Sequence, residues 1–333
     1  MLKSIVFKTF FLLCALNLAY ASSISLNIQT NPELSAKHLI YSKQIEFELL
    51  EISPLSKLNM MQKLKKTKAR SEIDNLPKQK ELGMSNGLPV SNQGMYGSCV
   101  TFAVTAALDA LAQLGNHYSQ LCFLQLGSYL FQQGMGPSGW NGLNGYTALT
   151  RVNNYGLMNL NQEKTYGCGG LTSYPSNKAN SGEMSINEYK QYSKIPRFSY
   201  YPVFAKDKDK VSSIKQSLNA GHRIVVGVYL AKADLGVAGA VAWHNYFYDT
   251  WVLTKEIQNE IQNNTMLPGH MMIITGYDDN FVARDELGHQ HKGLFVLRNS
   301  WGKHVGDSGT FYMSYDYMNA LAHTALAIKS PVA

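Results

Sequence analysis

Charged side chains are scarce in this sequence. They make up 16% of its 333 residues, whereas hydrophobic side chains make up 45%. Disordered chains have the opposite bias, with low hydrophobicity and high net charge, so this composition argues against disorder. Beyond the N-terminus the chain also lacks an apolar run long enough to cross a bilayer, because charges or prolines interrupt every such run. These absences favour an ordinary globular protein that is long enough for two lobes or domains.

Most of the chain also lacks an excess of positive charge, although the net charge is +7. Residues 22–70 carry eight Lys or Arg against four Glu, and Lys3 and Lys8 add two further positive charges, which leaves only +1 after Arg70. We find no basic stripe of the kind that follows a phosphate backbone. We therefore expect no nucleic-acid partner.

The N-terminus holds the apolar stretch "FFLLCALNLAY", which follows Lys3 and Lys8 and ends among the small residues Ala19 and Ala21. A basic start, a short apolar run and a small-x-small end are typical of a cleavable secretory signal. The run is shorter than the roughly 20 residues that a membrane-spanning helix needs. We expect residues 1–21 to be a signal peptide, and the remaining chain to be secreted or extracytoplasmic.

Cysteine is scarce as well. The chain has four, and Cys14 lies within the predicted signal, so three remain. An odd number in an oxidising compartment suggests one disulfide and one thiol that is kept free. Cys122 and Cys168 are a candidate pair, but their spacing alone does not fix the connectivity.

The residue pattern changes from helix-like to strand-like near residue 195. Before that point, apolar residues on every face predict a buried helix over Cys99–Leu114, with Ser98 as N-cap and Gly115 as C-terminal cap, and further helices at 119–131 and 145–154. After it, stretches rich in β-branched and aromatic residues predict strands at 222–231, 270–279, 293–302, 309–318 and 323–329. A helical half followed by an antiparallel β half indicates an α+β fold in two lobes.

Cys99 lies where the irregular stretch "NQGMYGS" gives way to the predicted helix. A thiol in the first turn of a helix lies at the positive end of the helix dipole, which favours the thiolate. The position is equally compatible with a buried cysteine that packs as a small hydrophobic residue. A nucleophilic cysteine also needs a base and a group that orients the base. His270, at the head of an apolar strand, and Asn299, in "RNSWG" beside Trp301, are the candidates.

The blocks "PVSNQGMYGSCVTFA", "GHMMIITGYDD" and "FVLRNSWGKHVGDSGTFYMSY" resemble the papain-like cysteine peptidases and stand in that family's order. The resemblance implies a helical lobe facing an antiparallel β-barrel-like lobe, with the active site in the cleft between them. It implies that Cys99 is the nucleophile, that His270 takes and returns the proton, and that Asn299 orients His270. It further implies that Trp301 covers this pair and that Gln93 contributes to the oxyanion hole. No cofactor and no metal are implied.

The resemblance also implies a function for the segment before Arg70. Residues 22–71, which end in a basic run, are either a solvated arm or a propeptide, and the resemblance favours a propeptide. The peptidase domain would then span residues 72–333, with the helical lobe at about 90–195 and the β lobe at about 196–333. The usual helical propeptide motif is not recognisable here, which leaves the mode of inhibition open.

The sequence departs from the family pattern at several positions. Val100 follows the nucleophile, and Gly269 precedes His270. The stretch "WNGLNGYTAL" aligns with a family segment in which two successive glycines line the substrate, so Gly142 matches the first and Leu143 replaces the second. We expect both residues to bind substrate, with the Leu143 side chain narrowing the ledge. Trp140 stands where the family has a disulfide cysteine.

The leading hypothesis is a secreted, monomeric cysteine endopeptidase that is made as a proenzyme and acts on proteins or peptides. An idle binding protein with the same fold, an exopeptidase and an acyl transferase remain as alternatives. The stretch Ala231–Leu267 is long enough to wall off one end of a cleft, as an exopeptidase would require. The loop Asp278–His291 holds several carboxylates and histidines, but its spacing favours a solvated hairpin over a metal site.

Overall fold

The structure is a computed structural model that describes residues 23–28, 43–65, 76–84, 88–115, 117–176, 182–204 and 209–330. The predicted signal at residues 1–21 and the predicted boundary between residues 71 and 72 lie outside these ranges. No helix of the described ranges is long and apolar enough to span a membrane.

Helices are the main regular structure between residues 99 and 192, and strands are the main regular structure after residue 199. The described helices are α1 (Pro54–Lys65), α2 (Cys99–Ala112), α3 (Gln120–Gln132), α4 (Gly145–Tyr155), α5 (Leu160–Tyr166), α6 (Ile186–Tyr192), α7 (Lys210–Asn219), α8 (Lys255–Asn263) and α9 (Tyr315–Leu321). The described strands are β1 (Ser23–Ile28), β2 (Lys43–Glu51), β3 (Gln79–Glu81), β4 (Ser199–Pro202), β5 (Arg223–Tyr229), β6 (Ala242–Trp243), β7 (Thr250–Trp251), β8 (Met266–Asp285), β9 (Gln290–Arg298), β10 (Thr310–Ser314) and β11 (Ala322–Lys329). The α+β fold class predicted from the sequence is confirmed.

The helix α2 begins at Cys99, as predicted, and most of its residues are buried. The predicted N-cap position is confirmed at Ser98, whereas the predicted C-terminal cap is wrong. Ser98 makes no capping bond, because its hydroxyl bonds the Tyr174 hydroxyl at 2.9 Å instead. The helix ends at Ala112 because Gln113 adopts a left-handed conformation (φ 58°), two residues before the predicted Gly115.

The long strand β8 organises the sheet. It pairs antiparallel with β5 and with β9. From β9 the pairing continues through β10, β7 and β6 and returns to β8, so this part of the sheet closes on itself. The closed circuit agrees with the barrel-like β lobe implied by the resemblance. Because β8 is the central strand of this lobe, a residue on it has a well-defined position.

The β half contains more helix than the sequence predicts. The stretch at 309–318 was expected to be one strand, but β10 ends at Ser314 and α9 begins at Tyr315. The Ser314 hydroxyl accepts a hydrogen bond from the backbone N–H of Tyr317, which starts the helix. The aromatic residues of "YDY" are typical of strands, and the cap overrides that preference.

Of the hydrophobic cores formed by the described residues, the two largest lie on opposite faces of the sheet. One is formed by α2 to α6 and includes Val225, Met271 and Ile273 from the sheet. The other lies inside the β lobe and includes Trp251 and Trp301. Cys122 and Cys168 form a disulfide within the helical core, with their Cα atoms 4.9 Å apart, and Cys99 is free. The candidate pairing is therefore confirmed.

The described part of residues 22–71 is folded onto the two lobes. The strand β1 pairs with β2, and residues 48–51 of β2 pair antiparallel with residues 266–269 of β8. The helix α1 packs against α8 and α9. These contacts exclude a solvated arm for the described part of this segment.

Candidate active site

Cys99 lies at the N-terminus of α2, against the central strand β8. Its thiol is 8% exposed and is within hydrogen-bonding reach of the backbone of Met271 and Val100. Met271 directly follows His270 along β8, so the thiol lies against the backbone next to His270, whose ring Nδ1 has no hydrogen-bond partner among the described residues. The unpaired N–H groups of the first helical turn surround the sulfur with donors, which favours a negative charge there.

The His270 ring is fixed by Asn299 and Trp301. Its Nε2 lies 2.8 Å from Asn299 Oδ1. The backbone N–H of Ser300 donates to the same oxygen at 2.7 Å, which identifies that atom as the acceptor. The proton of neutral His270 is therefore on Nε2, and Nδ1 carries the lone pair. Trp301 stacks on the ring with centroids 4.6 Å apart and shields the Asn299 bond from water.

Gln93 is fully buried and connects the irregular stretch before Cys99 to the Asn299 loop. Its side-chain oxygen accepts a hydrogen bond from the Ser300 hydroxyl at 2.7 Å, and its backbone N–H donates to the Ser300 carbonyl. Its Nε2 donates one proton to the carbonyl of Tyr96 at 2.7 Å. The second amide proton remains for another acceptor, such as an oxyanion near Cys99.

The sequence-predicted group is brought together by the fold. We call Gln93, Cys99, His270, Asn299 and Trp301 the Cys99 site. Ser300 joins it as a residue that the sequence analysis missed, although it stands in the quoted motif "RNSWG". Its hydroxyl orients Gln93 while its backbone N–H orients Asn299.

The other two predicted site residues, Gly142 and Leu143, differ in their surroundings. Gly142 adopts φ 113° and faces the N-terminal segment. The side chain of Leu143 is 5% exposed and packs in the helical core. The expectation that this side chain narrows the ledge is therefore wrong, because the side chain points into the lobe. Substrate binding by Gly142 and by the Leu143 backbone stays a prediction.

The strand β2, which we call the inserted strand, occupies the space over the Cys99 site. Phe47 contacts the edge of His270 and of Trp301, with ring centroids 5.7 and 5.8 Å apart. Glu48 reaches Gly142, where a Cβ would overlap its carboxylate. Likewise a Cβ on Gly269 would overlap Leu50. Glycines on both sides of the site therefore allow the inserted strand to approach closely.

The inserted strand is also anchored at its beginning. The Lys43 ammonium donates to the backbone carbonyl of Trp301 at 3.0 Å and bonds the Asn92 side chain. Burial lowers the pKa of Lys43 to about 8. The sequence analysis missed this strand, although Ile45, Phe47 and Leu49 alternate with polar residues in the way that predicts one.

Burial keeps the Cys99 thiol and the His270 imidazole neutral. It is the main reason why the pKa of Cys99 is raised from 9.0 to about 11, and the nearby Glu48 carboxylate acts in the same direction. It also lowers the pKa of His270 to about 4, although the bond to Asn299 acts in the opposite direction. A thiolate–imidazolium pair needs both shifts to be reversed, so the site in this structure is closed and uncharged.

The predicted loop Asp278–His291 is a β-hairpin, in which Asp278–Asp285 belong to β8 and Gln290–His291 to β9, and a compact polar cluster lies at its turn. Asp285 accepts hydrogen bonds from the backbone of Leu287 and His289, and its other oxygen lies 3.0 Å from His289 Nδ1 and 3.3 Å from His291 Nε2. Within the described ranges, no group of three or more His, Cys, Asp or Glu is arranged to hold a metal ion. The cluster closes the turn between β8 and β9.

Known proteins resemble this chain in sequence and in fold. The family model for papain family cysteine proteases matches residues 77–329. The probable cysteine protease RD19B of Arabidopsis thaliana is 23% identical over 235 residues, which cover 67% of this chain and 54% of that protein. The match thus spans about half the length of that relative.

Two solved structures are also similar. Xylellain, a cysteine protease from Xylella fastidiosa, is 21% identical with a TM-score of 0.52, and the match covers 79% of this chain and 90% of that one. Digestive procathepsin L 3 from the larval midgut of Tenebrio molitor is 18% identical with a TM-score of 0.49, over 90% of this chain and 86% of that one. The likeness to xylellain shows the papain-like two-lobe fold. With a family model matched over most of its length, this chain belongs to the papain family of cysteine proteases.

Proposed function

We propose that this chain is a secreted cysteine endopeptidase that is made as an inactive proenzyme. The observation that carries the proposal is the His270–Asn299 hydrogen bond under Trp301, together with a free cysteine at a helix N-terminus whose thiol contacts the backbone of Met271, the residue after His270. Secretion is supported by the signal-like pattern of residues 1–21. Protein or peptide substrates follow from the family.

In the open enzyme, the Cys99 proton moves to His270 Nδ1, because Nε2 already carries the proton that Asn299 accepts. The thiolate attacks the carbonyl carbon of the scissile peptide bond and gives a tetrahedral oxyanion. Collapse of this intermediate breaks the C–N bond, and the leaving amine takes the proton from His270. The product is a thioester between Cys99 and the acyl part of the substrate.

Water completes the cycle. His270 Nδ1 takes a proton from the water as its oxygen attacks the thioester carbonyl. The C–S bond then breaks, the carboxylic acid leaves and the thiolate is restored. In both halves the oxyanion would accept hydrogen bonds from the Cys99 backbone N–H and from Gln93 Nε2. Ser300 supports this role because it holds the Gln93 amide in place.

The proenzyme part of the proposal rests on the inserted strand. Its backbone pairs with residues 266–269, and its Phe47 and Glu48 side chains lie against His270 and Gly142. A substrate cannot reach Cys99 while this strand is in place. Cleavage after the strand, in the basic run that ends at Arg70, would release it.

Two alternatives remain from the same fold. A binding protein without turnover would have no physical need for the hydrogen bonds that orient His270 and Gln93, so the polar network favours the enzyme. An exopeptidase would need a wall across the cleft. The stretch Ala231–Leu267 reaches the Cys99 site through Trp251, whose ring lies 6.1 Å from Trp301. The positions of the cut sites distinguish exopeptidase from endopeptidase.

The test uses residues 22–333 and the Cys99→Ala variant. Both proteins are acidified to release the inserted strand and are then incubated with a diverse peptide mixture that is analysed by mass spectrometry. We expect internal cuts with the wild-type chain and none with the variant, which should show an unchanged circular dichroism spectrum. A folded, processed wild-type chain that cuts nothing would favour the binding protein, and removal of terminal residues alone would favour the exopeptidase.

A further inference from the structure

The helical lobe has a cavity away from the Cys99 site, which is lined by α4 and by the end of α3. Its volume is about 330 Å³, within the range of small-molecule sites. Its walls include Leu130, Met135, Tyr146 and Tyr155, with Arg151 and Asn154 as polar members. None of these residues belongs to the Cys99 site.

Arg151 is the unusual member of this cavity. It is 5% exposed, and burial lowers its pKa while the nearby Tyr155 acts in the opposite direction. Within the described ranges, no carboxylate forms an ion pair with it. One long hydrogen bond is present, from Nη2 to the backbone carbonyl of Met135 at 3.4 Å. A guanidinium carries several further N–H donors, so most of its hydrogen-bonding capacity is unused.

Two glycines flank the guanidinium. A Cβ at Gly127 would lie 3.4 Å from Arg151 Nη1, and a Cβ at Gly136 would lie 3.5 Å from Nη2. The group is thus held between backbone segments and is not a mobile surface side chain. A buried charge without a partner is costly, which a bound anion would relieve.

We propose that this cavity binds an organic monocarboxylate with an apolar group about the size of an amino-acid side chain. The Arg151 fork would accept the carboxylate in a bidentate arrangement, which is the geometry that guanidinium favours. Leu130, Met135 and the two tyrosines would contact the apolar part. One guanidinium balances one negative charge, so a dianion such as phosphate would keep an uncompensated charge.

The ligand has two sources with the same chemistry, a free organic acid and the C-terminal residue of a peptide. Full-length Cys99→Ala chain, which cannot process itself under the proposed function, is titrated calorimetrically with N-acetylleucine, N-acetylleucinamide, hexanoate and inorganic phosphate. We expect N-acetylleucine to bind and its neutral amide not to bind. Binding of hexanoate as well assigns the site to organic acids in general, whereas its absence assigns it to peptide C-termini.

Variants connect the binding to Arg151. Asn154 lies three residues after Arg151 on α4, so Asn154→Glu places a carboxylate beside the guanidinium, and Asn154→Gln is the matched neutral control. We expect Asn154→Glu and Arg151→Met to weaken N-acetylleucine binding about tenfold or more and Asn154→Gln to leave it unchanged. Because Asn154 is exposed, the Glu variant should fold even if Arg151→Met does not.

The proposal is overturned if N-acetylleucine and its amide bind equally or not at all, if phosphate binds more tightly than the carboxylates, or if Asn154→Glu binds as well as Asn154→Gln. None of these readouts depends on peptidase activity.

Discussion

The Cys99 site and the inserted strand that covers it are held by different kinds of contact. The site is fixed by side-chain hydrogen bonds among its own residues, from Gln93 through Ser300 and Asn299 to His270. The inserted strand is held by backbone pairing over residues 48–51, by Phe47 and by Lys43. The hydrogen bonds that orient Gln93, Asn299 and His270 do not involve the strand, so the strand can leave without breaking them.

This difference indicates how the closed form is kept inactive. The hydrogen bonds that orient His270 and Gln93 are already present, but burial stabilises the neutral thiol and the neutral imidazole. Removal of the strand would admit water, reverse both pKa shifts and open the path for substrate. Changes inside the site should therefore reduce turnover, whereas changes in the strand should alter only how readily the site opens.

The largest effect after loss of Cys99 itself is expected from Gln93→Ala in the processed enzyme. Loss of one oxyanion donor should lower kcat/KM about 100- to 1,000-fold. Peptide hydrolysis under single-turnover conditions measures this. Ser300→Ala is the matched control, because it leaves the donor in place and removes only its support, and we expect a smaller loss. A Gln93→Ala enzyme with normal kcat/KM would contradict the oxyanion role.

A smaller effect, in the opposite direction, is expected from Phe47→Ala in the inserted strand. Phe47 is 1% exposed, and truncating a buried Phe costs about 3 kcal/mol or more. The closed form should lose this stabilisation, so self-processing at neutral pH should accelerate roughly a hundredfold. Gel electrophoresis over time measures the rate. Leu55→Ala, at an exposed position of α1, should process at the wild-type rate.

If Phe47→Ala and Leu55→Ala process at the same rate, the strand is not held by its contact with His270 and Trp301. The turnover of the processed Phe47→Ala enzyme should equal that of the wild type. A lower turnover of the processed variant would mean that Phe47 also contributes to the Cys99 site after processing.

The smallest effect is expected from Glu48→Gln, and it depends on pH. Burial raises the pKa of Glu48, so its charged form destabilises the closed state, and this cost disappears as the pH falls through that raised pKa. Glutamine never carries the charge. At pH 7 the variant should therefore self-process several-fold more slowly than the wild type, and at pH 4 the two rates should converge.

His270 responds to pH in the opposite direction. Its pKa of about 4 in the closed state lies below its ordinary value of 6.5, so protonation between these values favours opening. The wild type and Glu48→Gln share this effect of His270, so the ratio of their self-processing rates reports only the effect of Glu48. Glu51→Gln, at the exposed end of the strand, is the control and should show a ratio near one at both pH values. If the ratio of the Glu48→Gln rate to the wild-type rate is the same at pH 7 and pH 4, the charge of Glu48 does not destabilise the closed state.

Much of this account could be predicted from the sequence, because the family blocks fix residue order and the strand and helix patterns are strong around them. The positions of Cys99, His270 and Asn299 follow from such blocks. The inserted strand could not be placed, because its short alternating pattern carries no information about its partner. It pairs not only with β1 but with β8, more than 200 residues later, and backbone pairing leaves little trace in the side chains.

The errors have local physical causes. Leu143 was expected in the cleft because it replaces a glycine, but an apolar side chain gains more from burial in the helical core than from exposure on the ledge. The strand predicted beyond Ser314 is a helix because a single hydroxyl caps it. For Leu143 a tertiary contact, and after Ser314 a capping bond, decides the structure against the preference that the local sequence indicates.

The most direct test is the pH profile of Cys99 alkylation by iodoacetamide, before and after processing. The midpoint of the profile reports the thiol pKa, whereas access affects only its height. We predict a midpoint near 11 in the unprocessed chain and one well below 8.5 in the processed enzyme. We expect the midpoint for the His270→Ala enzyme, which is processed in trans by wild-type protein, to lie closer to the ordinary thiol pKa of about 8.5. Equal midpoints before and after processing would contradict the claim that the inserted strand keeps the site uncharged.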